Sequence, residues 1–351
     1  MLKAWTTTKG DSTMKAFELK ELIGPEGLVL TTKHPEPEAG PGEVKIKVHA
    51  TSLNFRDLLV ASGRYPIGNK SSIIPLSDGA GEVVAVGAGV SRFKIGDRVA
   101  GTFFQAWNGG AISAESTALA LGGSADGMLA EYVVLPEQGV IHTPGHLTYE
   151  EAATLPCAGV TAWNAVVENG RVRAGETVLL LGTGGVSLFA LQFAKLHGAH
   201  VIIASSSDEK LARAKALGAD TLINYRTTPD WEQEVVKATG GRGVDIVVEV
   251  GGGGTLERSI KAVRVGGMIA VIGVVAGVGQ IDPRTIIARA IRLQGIYVGS
   301  GELFAAMNRA VAETALKPVI GRTFVFEEAK QAYDYQASGA HFGKIVVKVG
   351  S

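Results

Sequence analysis

Six residues, Gly182-Thr183-Gly184-Gly185-Val186-Ser187, separate the apolar run Val178-Leu179-Leu180-Leu181 from an amphipathic segment running from Leu188 to His197. A strand, a tight glycine turn and a helix in that order make an anion site. Gly182 permits the turn, Gly184 lets the main chain approach a pyrophosphate, and the helix start offers free amides and positive potential. Ser187 stands where a third glycine is usual, and it is small enough to let the helix lie close to the sheet. The competing reading is a purely structural turn in another kind of α/β domain.

The end of the next apolar run selects between dinucleotides. A site that binds a free ribose 2′-hydroxyl places Asp or Glu about 20 residues beyond the turn. This chain has Ser205-Ser206-Ser207, then Asp208-Glu209-Lys210. Without that carboxylate a 2′-phosphate is not repelled, and hydroxyls with Lys210 can donate to it. Tyr225 could flank the same phosphate. NADP(H) is therefore the expected cofactor and NAD(H) the alternative. On the opposing view Lys210 is only a solvated helix residue, while Asp208 reads as a helix N-cap.

These residues need a parallel sheet to hold them. Val178-Leu-Leu-Leu, Val201-Ile-Ile-Ala, Thr221-Leu-Ile-Asn, Val244 to Val250, Met268 to Gly273 and Leu293 to Val298 are nearly continuous apolar runs. Helical segments such as Asp208 to Leu217 alternate with them. That rhythm predicts a six-stranded, doubly wound sheet covered on both faces. Before Pro156 the pattern is β-rich. Glu43 to His49 alternates with period two, as a half-exposed antiparallel strand should, and short strands are expected at 81–87, 97–101 and 130–135. Residues 102–127 form a long loop or small lobe. Beyond Leu303 one helix and a closing strand, Lys344 to Val349, should return to the first domain. The expected division is 1–155, with 1–13 a possible extension before a second opening at Met14, then 156–300 and 301–351.

Bulk properties exclude several classes. Thirty-four basic residues balance thirty-four acidic ones, so no field favours nucleic acid or anionic lipid. The uncharged stretch Val265 to Ile281 is too rich in glycine for a membrane span. The single cysteine allows no intramolecular disulfide and points to the cytosol.

Several stretches occur in a telling order: Pro41-Gly-Glu-Val, Asn54-Phe-Arg-Asp, Ala80 to Gly87, Gly96-Asp-Arg-Val, Leu155 to Trp163, the Gly182 turn, and His341-Phe-Gly-Lys-Ile-Val. From about Met14 to Val349 the chain resembles the medium-chain dehydrogenase/reductase superfamily, and within it the zinc-independent branch of quinone oxidoreductases and alcohol-dehydrogenase-like proteins. The resemblance implies a GroES-like catalytic domain beside a Rossmann domain. It also implies that Ser206, Lys210 and Tyr225 contact the 2′-phosphate, that Thr161 bonds the nicotinamide carboxamide, and that subunits pair as a homodimer through the sixth strand. Gly273, Val274, Ile296 and Val298, at the ends of the fifth and sixth strands, would back the nicotinamide. Lys344 either reaches the pyrophosphate or is an exposed strand lysine.

The departures from zinc-using relatives carry most weight. Asn54 stands where they have Cys, Ser77-Asp78 where they have His-Glu, and only Cys157 survives at a ligand-like position. Residues 102–127 hold no cysteine for a structural zinc. Catalytic zinc needs three protein ligands of Cys, His or carboxylate type, so no metal is expected. Charge developing on a substrate oxygen must then be met by hydrogen-bond donors, and the candidates are Asn54, Arg56, Tyr65 and Ser77, with Tyr65 a possible proton donor. Arg56 could instead pair with Asp57, and Tyr65 could simply pack. A quinone or α,β-unsaturated carbonyl spreads charge over a longer π-system and suits such a site; aldehydes and ketones come next. Phe103, Phe104 and Trp107 either wall an apolar pocket or pack the loop. A non-catalytic NADPH-binding structural or sensor protein is the alternative of another class.

Overall fold

The computed structural model describes residues 12–65, 70–273, 275, 277 and 279–350. The extension expected at 1–13 therefore lies largely outside the described residues, as does Val274. Thr13–Leu19 pairs antiparallel with Leu28–Pro35 in a two-stranded sheet.

The second half holds a six-stranded parallel sheet. Its strands are Thr177–Leu181, His200–Ser205, Thr221–Asn224, Val244–Glu249, Val263–Val271 and Arg292–Gly295, arranged in the spatial order third, second, first, fourth, fifth, sixth. Every residue of Thr177–Leu181 is buried, because helices cover both faces of the central strands. The order reverses beside this first strand, and in open α/β sheets that reversal opens a crevice at the carboxyl ends of the strands. The glycine turn sits there. Gly182 has φ +74°, a left-handed conformation natural to glycine, and its N–H donates to Ala204 O at 2.7 Å. The helix Gly185–Leu196 follows at once, and Ser187 Oγ ties its start back to Leu181 O at 2.7 Å. The third glycine has thus been replaced by a residue that anchors the helix.

The first half supplies most of a seven-stranded sheet whose longest member is Glu43–Leu53. Lys344–Lys348 joins it antiparallel, Ile345 opposite Leu53, so the chain's end does close the first domain. Immediately before that strand, Gly343 N–H donates to Thr183 O at 2.9 Å, stitching the closing strand to the glycine turn. The asparagine and lysine of the two strand ends are thereby brought to the wall of the nucleotide crevice.

Within Glu43–Leu53, buried Val44, Ile46 and Val48 alternate with the more exposed Glu43, Lys47 and His49, as expected for residues 43–49, although Lys45 is buried and paired with Glu36 at 2.7 Å. Two expectations are corrected. The C-terminal segment holds a further strand, Ile320–Val325, and a second helix, Ala329–Ala337, beside the expected Gly301–Glu313. The sixth parallel strand stops at Gly295, short of Val298, whose φ of +54° turns the chain out of the sheet. Among the described residues no helix is long and apolar enough to cross a membrane.

Candidate active site

A cleft of about 370 Å³ runs along the junction of the two sheets. Its walls are the whole 181–187 turn, Ser205, Ser206, Lys210 and Tyr225 on one side, and Leu53, Asn54, His341, Gly343 and Lys344 on the other. Among the described residues no carboxylate lines it. The structure thus gathers the predicted phosphate residues with the predicted Asn54 and Lys344 around one space.

At the outer end, Ser205 is buried at the close of its strand and accepts the Tyr225 N–H on its carbonyl at 3.1 Å. The side chain of Ser207 caps the next helix, accepting Lys210 N–H; the N-cap is therefore Ser207 and not Asp208, which instead accepts Asn224 Nδ2 at 2.7 Å. Lys210 Nζ donates to Gly339 O at 2.8 Å, leaving further N–H groups for a ligand. Opposite stands His341, which sequence reasoning used only as part of a motif. Burial, then Lys210 and Lys344, push its imidazole down to about 4, so it is neutral at pH 7, and its buried Nδ1 has no partner. The orphaned ring nitrogen, the free first-turn amides and the open hydroxyls fit a dinucleotide diphosphate and its ribose.

The inner end is closed upon itself. Lys344, 3% exposed, donates from Nζ to Leu53 O at 2.6 Å and to Asn54 Oδ1 at 2.6 Å, and lies 3.4 Å from Asp78 Oδ2. Its stem passes the glycine turn so closely that a Cβ on Gly185 would stand 2.6 Å from Lys344 Cδ. The lysine lines the crevice, but its N–H groups are engaged by protein, which corrects the expectation that it is free for the pyrophosphate. Ser77 is fully buried and donates its hydroxyl proton to Asp78 Oδ1 at 2.8 Å; it supports the carboxylate and has no proton left for a substrate. Asn54 differs. Its Nδ2 is buried without a partner.

Zinc does not fit this pocket. Among the described residues no three His, Cys, Asp or Glu side chains gather as a ligand set. Asp78 already faces the Lys344 ammonium, and Asn54 and Ser77 offer no thiolate, imidazole or carboxylate beside Cys157.

Arg56 is also redirected. Its guanidinium donates to Gly122 O at 2.8 Å and Leu121 O at 2.6 Å, lies 3.6 Å from Asp57 and stacks over Phe103. It clamps the 121–122 loop, the pairing alternative rather than a catalytic one. Burial raises its neighbour Asp57 to about 6, against the pull of Arg56. Tyr65 Oη meets Tyr297 Oη at 2.5 Å, and Phe104 packs edge-on against Tyr297 at 4.8 Å between centroids. Burial, then Tyr297, raise the Tyr65 phenol, which keeps its proton. Phe103, Phe104 and Trp107 are buried, so the loop packs them while Phe104 reaches the tyrosine pair. Thr161, Ile296 and Val298 are buried and Gly273 is partly buried. Tyr297, like His341, escaped sequence reasoning; its only signal was its place between Ile296 and Val298.

Comparison with known proteins agrees with this architecture. Residues 40–145 match the alcohol dehydrogenase GroES-like domain and residues 185–313 the zinc-binding dehydrogenase family. A zinc-type alcohol dehydrogenase-like protein of Schizosaccharomyces pombe is 45% identical over 88% of this chain and 91% of its own. The quinone oxidoreductase of Rattus norvegicus is 31% identical over 96% and 98%. A crystal structure of an NAD-dependent alcohol dehydrogenase superposes with a TM-score of 0.85 at 36% identity, covering 96% of this chain and all of the other.

Proposed function

This chain belongs to the medium-chain dehydrogenase/reductase superfamily of oxidoreductases, and on that premise we propose that it is a metal-independent, NADPH-dependent reductase of quinones or α,β-unsaturated carbonyls. The observation that carries the reading is the cleft itself: a glycine turn and a carboxylate-free ribose end on one side, and a lysine-filled, zinc-incompatible pocket on the other.

In this reading the 182–187 turn holds the pyrophosphate, while Ser205, Ser206, Lys210 and Tyr225 hold the 2′-phosphate. Thr161, Gly273, Val274, Ile296 and Val298 orient the nicotinamide end. When bound, the reduced cofactor supplies a hydride. The protein's task is to meet the negative charge that appears on the acceptor oxygen and to return a proton. Asn54 Nδ2 is the unspent donor for the first task. Tyr65 Oη, kept protonated beside Tyr297, serves the second. One amide donor is a weaker electrophile than a metal, so an acceptor that delocalises its charge is favoured over a simple ketone.

A second reading, NAD(P)-dependent alcohol or aldehyde interconversion, draws on the alcohol dehydrogenase names among the relatives. The NAD dependence of the superposed neighbour belongs to that protein; here the absence of a carboxylate from the cleft lining favours NADP(H). Among the described residues the short outer strand Arg292–Gly295 has one free edge in the parallel sheet, which supports a homodimer formed there, and a chain with a single cysteine suits the cytosol. Monitoring NADPH absorbance against a panel of quinones, enones and aldehydes tests the reading. Consumption with quinones or enones is expected; consumption with none of the panel would overturn it.

A further inference from the structure

Lys344 and Asn54 stand 290 residues apart in sequence and 2.6 Å apart in space. An ammonium only donates, so the amide oxygen of Asn54 must face Lys344 and the amide nitrogen must face elsewhere. This assignment follows from chemistry and needs no observed hydrogen. Around the lysine the remaining partners are Leu53 O at 2.6 Å and Asp78 Oδ2 at 3.4 Å, and Asp78 is in turn held by Ser77. The lysine is therefore fixed from three sides and the asparagine is locked in one orientation. On the other side of that amide, Nδ2 is a buried donor with no partner, on a residue that lines the crevice.

We infer that Lys344 is a positioning residue that stands in for the electrophilic metal: it orients and polarises the Asn54 amide, whose Nδ2–H then donates to the substrate oxygen during hydride transfer. Positive charge drawn to a carbonyl oxygen makes the attached N–H a stronger donor, and hydrogen bonds in a chain reinforce one another. The electrophile is thus a buried cation acting through one amide bond system rather than by direct contact. Neither Lys344 nor Asn54 makes or breaks a covalent bond; only the strength and direction of a hydrogen bond are at stake. The inference deepens the proposed carbonyl reduction and rests on it.

The test uses the charge-balanced pair Lys344→Met/Asp78→Asn, because Lys344→Met alone strands a buried carboxylate. Three variants are compared in the intact protein: the pair, Asn54→Ala, and the three changes combined. With an enone acceptor, Asn54→Ala should lower kcat by about 100-fold, and the pair by about tenfold, the scale of an outer-shell partner. The combination should be no slower than Asn54→Ala, since both act through the same amide. The Kd of NADPH, read by intrinsic fluorescence, should stay within a few-fold throughout. Independently of turnover, the Asn54 side-chain amide resonances, identified by their loss in Asn54→Ala, should move upfield in the pair. Fully multiplicative losses, a loss residing in NADPH affinity, or unmoved amide resonances would each overturn the inference. Wild-type protein that reduces no acceptor would instead fail the functional reading, and the catalytic role would fall with it.

Discussion

At the outer end of the crevice, the 182–187 turn, Ser205, Ser206 and Lys210 present amides, hydroxyls and an ammonium whose donors are largely open. At the inner end, Lys344, Asp78, Ser77 and the oxygen of Asn54 satisfy one another, leaving a single orphan donor. The outer end is built from the consecutive main chain of one turn and a short run of side chains after the next strand, and its donors face open space. The inner end is built from side chains at the ends of three strands far apart in sequence but adjacent in the sheet, and is complete without a ligand, apart from Asn54 Nδ2. The difference shows that the inner pocket is not empty: a buried ion pair fills it and leaves one amide donor unspent.

The contrast breaks most severely at the ion pair. Lys344→Met leaves Asp78 buried and uncompensated, which should cost about 3–5 kcal/mol and a large fall in melting temperature; adding Asp78→Asn should recover most of it. An unchanged melting curve for the single variant would show that the inner pocket does not depend on the pair. The outer end should respond in the opposite manner. A Cβ at Gly184 meets only His341 Nε2 at 3.9 Å, so Gly184→Val should fold normally yet weaken NADPH by about 100-fold, or about 2.7 kcal/mol. Equal binding by titration would mean the turn is not the cradle.

Acid titration sharpens the comparison, because the two ends should move with opposite sign. Burial raises Asp57 from 3.8 to about 6, so its contribution to stability is present below pH 4 and lost as pH rises through about 6. His341 is lowered from 6.5 to about 4, so its contribution is present above pH 6.5 and lost as pH falls through about 4. Relative to wild type, Asp57→Asn should gain stability between pH 4 and pH 6, whereas His341→Gln should gain it as pH falls from 6.5 to 4, each by about 2 kcal/mol. Melting curves across that range check both; slopes of the same sign would contradict the assignment. The smallest expected change is Ser205→Asp, which places a carboxylate at the ribose end and should shift the NADPH-to-NADH affinity ratio by about 1–2 kcal/mol. An unaltered ratio would place the 2′-phosphate elsewhere.

How far the sequence could be read follows the same division. The glycine turn, the alternation of strands and helices and the serine-lysine end were legible because each is a local βα feature, its parts within a few tens of residues. Asn54, Ser77 and Cys157 were legible only as departures from a metal-ligand pattern. What replaced the metal was not legible, since Lys344 reaches Asn54 and Asp78 through strand pairing that brings Ile345 opposite Leu53. Ser77 looked like a donor to substrate until its hydroxyl was found donating to Asp78 Oδ1, and Arg56 until its guanidinium was found donating to the 121–122 carbonyls. The strand Ile320–Val325 went unseen because it is exposed at most of its positions and lies at the sheet edge, where little apolar patterning is required.

In the proposed chemistry this site moves hydride with a lysine-polarised amide in place of a metal. Its most direct test is elemental analysis of the purified protein together with NADPH-dependent reduction of an enone before and after exhaustive chelation. The account predicts no stoichiometric zinc and undiminished turnover after chelation. One zinc per chain, with activity lost on its removal and restored on its return, would contradict it.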